Sequence, residues 1–176
     1  MFRQKKKTAR KNSCAVRNTS NTVSTPYSIE ITEITDSNLV YTGGLGQVIK
    51  NNNKYVYITM SEEIEATTID SEAFSELSYL LVGIEIPECI TTINSKAFYK
   101  CYIETLKIHN STNWTSSSSS NYASFTYKVT NLYIDSDDYV SDSSKYILCN
   151  YLYIKNTLIE ELEIPGSYVS TGIKFR

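Results

Sequence analysis

Histidine is almost missing from this 176-residue chain: His109 is the only one, alongside three prolines, six glycines and four cysteines. With one imidazole and no CxxC pair, the usual zinc-finger ligand sets cannot be assembled. Cys14, Cys89, Cys101 and Cys149 could make two disulfides; the plainer reading is reduced thiols that pack as small apolar side chains. No stretch approaches the ~20 apolar residues of a membrane-crossing helix. Lys7 is followed by Thr8, Ala9, Arg10 and Lys11 instead of the apolar region of a secretory signal. The expected location is therefore the cytoplasm or an assembled particle. The scarcity of proline and glycine excludes collagen-like and proline-rich chains.

Charge is unevenly placed, although the formal total is only -2. Arg3, Lys5, Lys6, Lys7, Arg10, Lys11 and Arg17, seven of the 17 basic residues, precede the first acid, Glu30. That leaves ten basic residues against 19 acids, a charge of -9, for the rest. Residues 1–26 have too few large apolar groups to offset ordering entropy, so the expectation is a basic arm that is disordered unless a partner holds it.

From Tyr27 the pattern alternates, with Tyr27, Ile29 and Ile31 on one face and Ser28 and Glu30 on the other, the period of a half-buried strand. Short strands around Leu39–Tyr41, Gln47–Ile49 and Tyr55–Met60, separated by Gly43, Gly44, Gly46 and Asn51–Asn53, predict a β-hairpin cap over 27–60. Beyond it the chain repeats. Ile69-Asp70-Ser71-Glu72-Ala73-Phe74 recurs 24 residues later as Ile93-Asn94-Ser95-Lys96-Ala97-Phe98. The pattern apolar-x-x-apolar-x-apolar occurs at Leu81, Ile84, Ile86; Ile103, Leu106, Ile108; Val129, Leu132, Ile134; Cys149, Leu152, Ile154; and Ile159, Leu162, Ile164. The first three offsets, 22, 26 and 20, suit stacked repeats of one strand plus a connection; the last, 10, suits a closing strand. Asp70 or Ser71, and Asn94 or Ser95, are placed to cap short helical turns carrying Ala73-Phe74 and Ala97-Phe98.

Residues 84–101, Ile-Glu-Ile-Pro-Glu-Cys-Ile-Thr-Thr-Ile-Asn-Ser-Lys-Ala-Phe-Tyr-Lys-Cys, resemble a BspA-like leucine-rich repeat, which runs strand, IP, two apolar positions, then AF-x-x-C. The likeness is looser in the repeat ending at Phe74 and is reduced to the strand triplets and Leu162-Glu163-Ile164-Pro165 beyond Ile108. The resemblance implies a curved, β-lined solenoid used for adhesion or protein binding, with no catalytic residues to carry over. The expected fold is thus mainly β: a basic arm (1–26), a β-hairpin cap (27–60) and a short leucine-rich-repeat-like solenoid with small helical turns (61–176).

In each triplet the middle residue of the final three faces away from its neighbours. Glu85, Lys107, Tyr133, Tyr153 and Glu163, with Tyr57 at the N-terminal edge, are the candidate binding face, and tyrosine suits it through broad contact area and a polar tip. The alternative is that 15 tyrosines reflect strand propensity alone.

Chemistry-bearing motifs are sparse. His109 follows a strand triplet with no nucleophile motif beside it. Gly43-Gly44-Leu45-Gly46 lacks the Lys-Ser/Thr of a phosphate loop and reads as a turn. Asp135, Asp137, Asp138 and Asp142 lack the glycine and terminal glutamate of an EF-hand and read as a solvated loop. Ser116–Ser120, after Asn113-Trp114-Thr115, reads as a flexible insertion in which Trp114 is a candidate contact. Asn18, Asn110 and Asn113 sit in N-x-S/T sequons.

The expectation is a non-enzymatic binding or adhesion module with no cofactor or metal, facing a protein partner or host surface and forming a homo-oligomer. One alternative is a virion component of a phage, such as a head fibre, capsid decoration or tail receptor-binding protein, whose arm docks on capsid or other assembly proteins. A less favoured one is nucleic-acid binding by the arm through phosphate neutralisation, which lacks interleaved aromatics for base stacking.

Overall fold

The structure, a computed structural model, describes residues 20–109, 112–114, 123–125, 127, 129–135, 147, 149–155 and 173–175. The chain runs β1 (Tyr27–Ile31), a 3-10 helix (Asp36–Asn38), α1 (Leu45–Asn52), β2 (Val56–Met60), β3 (Thr68–Ile69), β4 (Leu81–Glu85) and β5 (Thr92–Ile93). It continues through β6 (Thr105–His109), β7 (Asn113–Trp114), β8 (Val129–Asp135), β9 (Cys149–Lys155) and β10 (Ile173–Phe175). Two parallel sheets result: a seven-stranded one in the order β1-β2-β4-β6-β8-β9-β10 and a three-stranded one in the order β3-β5-β7. Between β2 and β8 the chain visits them alternately. Each return to the larger sheet is therefore a crossover, and neighbouring strands run parallel.

Strand alternation decides what fills the interior. Ile58, Ile84, Leu106 and Leu132 stand in register across β2, β4, β6 and β8 and are all 0% exposed. Met60, Ile86, Ile108 and Ile134 form a second buried set, while Ile69 and Ile93 approach from the smaller sheet. Phe74, Phe98 and Phe125 stack ring on ring, with centroids 5.2 and 4.9 Å apart. Phe125 follows Ser124, not alanine, and the buried Ser124 hydroxyl donates to the carbonyls of Ile93 and Asn94, both at 2.9 Å. A third phenylalanine thus completes a column whose sequence signature ends at Phe98.

Three expectations are corrected. The β-hairpin cap is not formed: β1 and β2 pair parallel, Tyr27 with Val56 through Ile31 with Met60, and the segment between them contains α1 instead of strands. Helix wins there because Leu45 and Ile49, four residues apart, both reach the core, and Gly46 lets the helix rest on the Ala73 carbonyl, which a Cβ would meet at 2.1 Å. Asn53, at φ 49°, ends the helix by donating its N–H to Ile49 and Lys50 carbonyls. The small helical turns are also absent. Glu72 and Lys96 adopt left-handed φ of 62° and 59°, and Glu76 and Lys100 repeat this at 60° and 57°. A left-handed residue breaks a right-handed helix after one turn. The Phe74 and Phe98 N–H groups instead reach across to Ala97 and Ser124 carbonyls, each at 2.8 Å.

Without those helical turns or the hairpin, the expected leucine-rich-repeat-like solenoid is not the architecture observed. What is observed is a mainly β chain with two parallel sheets and, among the described residues, a single α-helix. No helix among those residues is long and apolar enough to cross a membrane.

Polar side chains finish the N-terminal end of both sheets. Asp36 Oδ1 accepts the backbone N–H of Thr67 at 2.7 Å and of Thr68 at 2.9 Å, in front of β3. These two bonds hold the Asp36 carboxyl below its ordinary range. Residues 20–26, counted with the arm by composition, turn back onto the body. The Asn21 amide pairs with Tyr55, donating to its carbonyl and accepting its N–H, both at 2.8 Å.

A candidate binding face on the seven-stranded sheet

The face of the larger sheet turned away from the core is built by strand parity. If Ile84 and Leu106 point inward, Glu85 and Lys107 beside them must point outward. Parallel register then sets Thr59, Glu85, Lys107, Tyr133 and Tyr153 side by side across β2, β4, β6, β8 and β9. Lys107 Nζ lies 2.7 Å from Glu85 Oε1, with the side chains 46% and 28% exposed. An isolated pair this open to water contributes only ~0–1 kcal/mol, but this one is tied into a larger array. Next along the row, the rings of Tyr133 and Tyr153 stack with centroids 4.4 Å apart and planes 10° from parallel.

Tyr57 joins from the neighbouring row. A register shift between Val56 and Tyr57 sets Tyr57 opposite Gly83, and its ring lies over that glycine. A Cβ at position 83 would sit 2.4 Å from Tyr57 Cε2 and 2.5 Å from Cδ2, so the missing side chain makes the space. Lying flat, Tyr57 donates its hydroxyl to Glu85 Oε1 at 2.8 Å. Burial, and then this bond to a carboxylate, push the phenol well above its ordinary value and keep it a donor. One carboxylate oxygen therefore accepts from both a phenol and an ammonium, which fixes the side chains of three strands relative to one another.

A second aromatic column stands at the entrance to these strands. Tyr79, Tyr102 and Tyr127 stack with centroids 4.5 and 4.3 Å apart, both pairs 10° from parallel. Tyr79 is 57% and Tyr102 40% exposed. A hydrogen bond with Tyr127 raises the Tyr102 phenol. The sequence places Tyr79 and Tyr127 two residues before β4 and β8 and Tyr102 three before β6, positions outside the strand triplets.

Of the residues named from sequence, Tyr57, Glu85, Lys107, Tyr133 and Tyr153 share this face. Glu163 and the arm residues Arg3, Lys5, Lys6, Lys7, Arg10, Lys11 and Arg17 lie outside the described residues, as do Cys14, Asn18, Asn110, Asp137, Asp138, Asp142 and Ser116–Ser120. His109 ends β6, its Nδ1 4.0 Å from Glu88 Oε1. Trp114 is a strand residue of β7 packed against the core, not part of an exposed loop, while Asn113 beside it is exposed. Cys89 and Cys101 are free thiols. The buried Cys101 donates to the Phe74 carbonyl at 2.8 Å, and burial pushes its thiol up to about 12. No group of three or more potential metal ligands occurs among the described residues.

No protein-family model, curated protein or solved structure matches the chain.

Proposed function

We propose that this protein is a non-enzymatic binding module that engages a protein partner through the outer face of its seven-stranded sheet. The carrying observation is the row Glu85, Lys107, Tyr133, Tyr153, with Tyr57 locked onto Glu85. Stacked, half-buried tyrosines lose little side-chain freedom on binding and offer apolar area with polar tips, the composition of interface hot spots. An adjacent carboxylate and ammonium already fixed by hydrogen bonds supply directional contacts at low ordering cost.

The test compares the native chain with a Tyr133→Ala/Tyr153→Ala variant in affinity capture from lysate of the cells that produce it. At least one protein retained by the native chain and lost from the variant is expected, with Lys96→Ala, in the turn after β5 of the smaller sheet, as the unaffected control. Identical retention by native chain and variant overturns the proposal. We extend it to self-association along the edge of the larger sheet that ends on β1, because strand edges invite pairing. Light scattering showing only monomer at working concentrations contradicts that extension.

A further inference from the structure

Two exposed tyrosines of the second column are held ring on ring where a small oxidant can reach them. Tyr79 and Tyr102 lie with centroids 4.5 Å apart and planes 10° from parallel, and they are 57% and 40% exposed. The backbone beneath them is bridged as well: Tyr102 N–H donates to Ser78 O at 2.8 Å, and Ser78 N–H to Lys100 O at 3.1 Å. Tyr102–Tyr127 and Tyr133–Tyr153 stack as closely, but Tyr127, Tyr133 and Tyr153 are each half-buried. Tyr41 is exposed, with no ring stacked on it among the described residues.

A phenol open to water is a one-electron donor, and the radical it leaves carries spin on the carbons beside its oxygen. Two such radicals join at those carbons, but separate ones must first meet. In the stack the second phenol already stands beside the first, the arrangement that makes a bimolecular step effectively unimolecular. The centre-to-centre distance in a biaryl is one C–C bond plus two ring radii, close to the separation of these rings. Coupling therefore asks the rings to turn edge to edge, not the backbones to approach. Among the described residues Tyr79 ends the column, so it can turn toward Tyr102.

We propose that Tyr79 and Tyr102 are an oxidative cross-linking site, at which a peroxidase-type one-electron oxidant supplied with hydrogen peroxide converts the stack into a dityrosine bridge that staples the turns ahead of β4 and β6. Each phenol gives up one electron and one proton. The two radicals form one C–C bond between the carbons beside their oxygens, and the hydrogens displaced from those carbons restore the two hydroxyls. The two electrons and two protons reduce one peroxide O–O bond to two waters, so two phenols and one peroxide yield one biphenol and two waters. The bridge closes a covalent loop between residues 79 and 102, which restricts the unfolded chain. None of this rests on the outer-face reading.

The experiment treats dilute full-length protein with a haem peroxidase and limiting hydrogen peroxide, follows dityrosine fluorescence, and maps the linked peptides by mass spectrometry. A link between Tyr79 and Tyr102 within one chain is expected as the main product, in a yield independent of protein concentration and lost when the chain is unfolded in urea before oxidation. Tyr102→Phe keeps a ring between Tyr79 and Tyr127 and removes the reacting hydroxyl, so Tyr79 should then link to neither. The purified cross-linked chain should unfold at a higher urea midpoint than the untreated one. No 79–102 link in the folded chain, a yield no greater than that of links from Tyr41, or the same yield from unfolded protein overturns the proposal. An unraised midpoint overturns the stapling role. Each of these results leaves the reading of the outer face untouched.

Discussion

Replacing Gly83 by alanine tests how the outer face is assembled. A Cβ at this position would lie 2.4 and 2.5 Å from two Tyr57 ring carbons and 3.1 Å from the Thr105 carbonyl oxygen. Contacts under 3 Å are not tolerated, so the ring must swing off the sheet and give up its 2.8 Å bond to Glu85. Overpacking of this kind costs roughly 1–3 kcal/mol, and the lost hydrogen bond about 0.5–1.5 kcal/mol more. Two mitigating effects act against these. The ring is a movable side chain, and alanine is favoured over glycine in a strand by roughly 0.5–1 kcal/mol. The expected net cost of Gly83→Ala is about 1–2 kcal/mol, read as a lower urea midpoint at unchanged slope. In a Tyr57→Ala background the ring is gone, only the Thr105 contact remains, and the same substitution should be near neutral. The double-mutant cycle should therefore return a coupling of at least about 1 kcal/mol. Equal costs of Gly83→Ala in the two backgrounds would refute the claim that this glycine exists to seat Tyr57.

Further outcomes follow from the core and the sheet ends. Phe98 is the middle ring of its column and 1% exposed, so Phe98→Ala should cost about 3–5 kcal/mol, more than Phe125→Ala at the partly buried end, by denaturant unfolding. Asp36→Ala should cost about 1 kcal/mol at neutral pH by leaving two backbone donors of the β3 lead-in without their acceptor. Because the folded Asp36 carboxyl is depressed, its contribution is complete above the unfolded value of about 4 and lost as pH falls through the lower folded one. Asp36→Asn should accordingly flatten the acid limb of the stability profile. Native alkylation at pH 8, mapped by mass spectrometry, should modify partly exposed Cys89 well before Cys101, whose buried thiol, pushed up to about 12, should react only on unfolding.

Residue parity was the legible part of this chain. The triplets ending in Ile108, Ile134 and Ile154 did mark strands, because a period of two leaves no choice over which residues share a face. The same parity named Glu85, Lys107, Tyr133 and Tyr153, which adjacent parallel strands then bring into one row. Connections were not legible. Alternation in 27–60 identifies a strand but not the direction of its partner, and the Leu45/Ile49 pair that favours α1 sits among glycines that suggest a turn. Nor does Asp70-Ser71 or Asn94-Ser95 disclose left-handed Glu72 and Lys96, since their conformation is set by bonds between neighbouring turns: Lys96 N–H to Ala123 O at 3.0 Å, and Asn94 Nδ2 to Asp70 Oδ1 at 3.1 Å. Phe125 escaped notice because serine replaces alanine ahead of it and its spacing from Phe98 differs from the 24 residues that separate Phe74 and Phe98. Hydrogen bonds between neighbouring turns, not local propensity, set the left-handed positions, and core packing set the helix.

The binding role of the outer face is tested most directly by photocrosslinking from inside it. p-Benzoylphenylalanine at position 133, in the ring row of β8, should crosslink the partner that Tyr133→Ala/Tyr153→Ala fails to retain. The same probe at position 113, on β7 of the smaller sheet, should give none. Crosslinks from 113 with none from 133 would contradict the account.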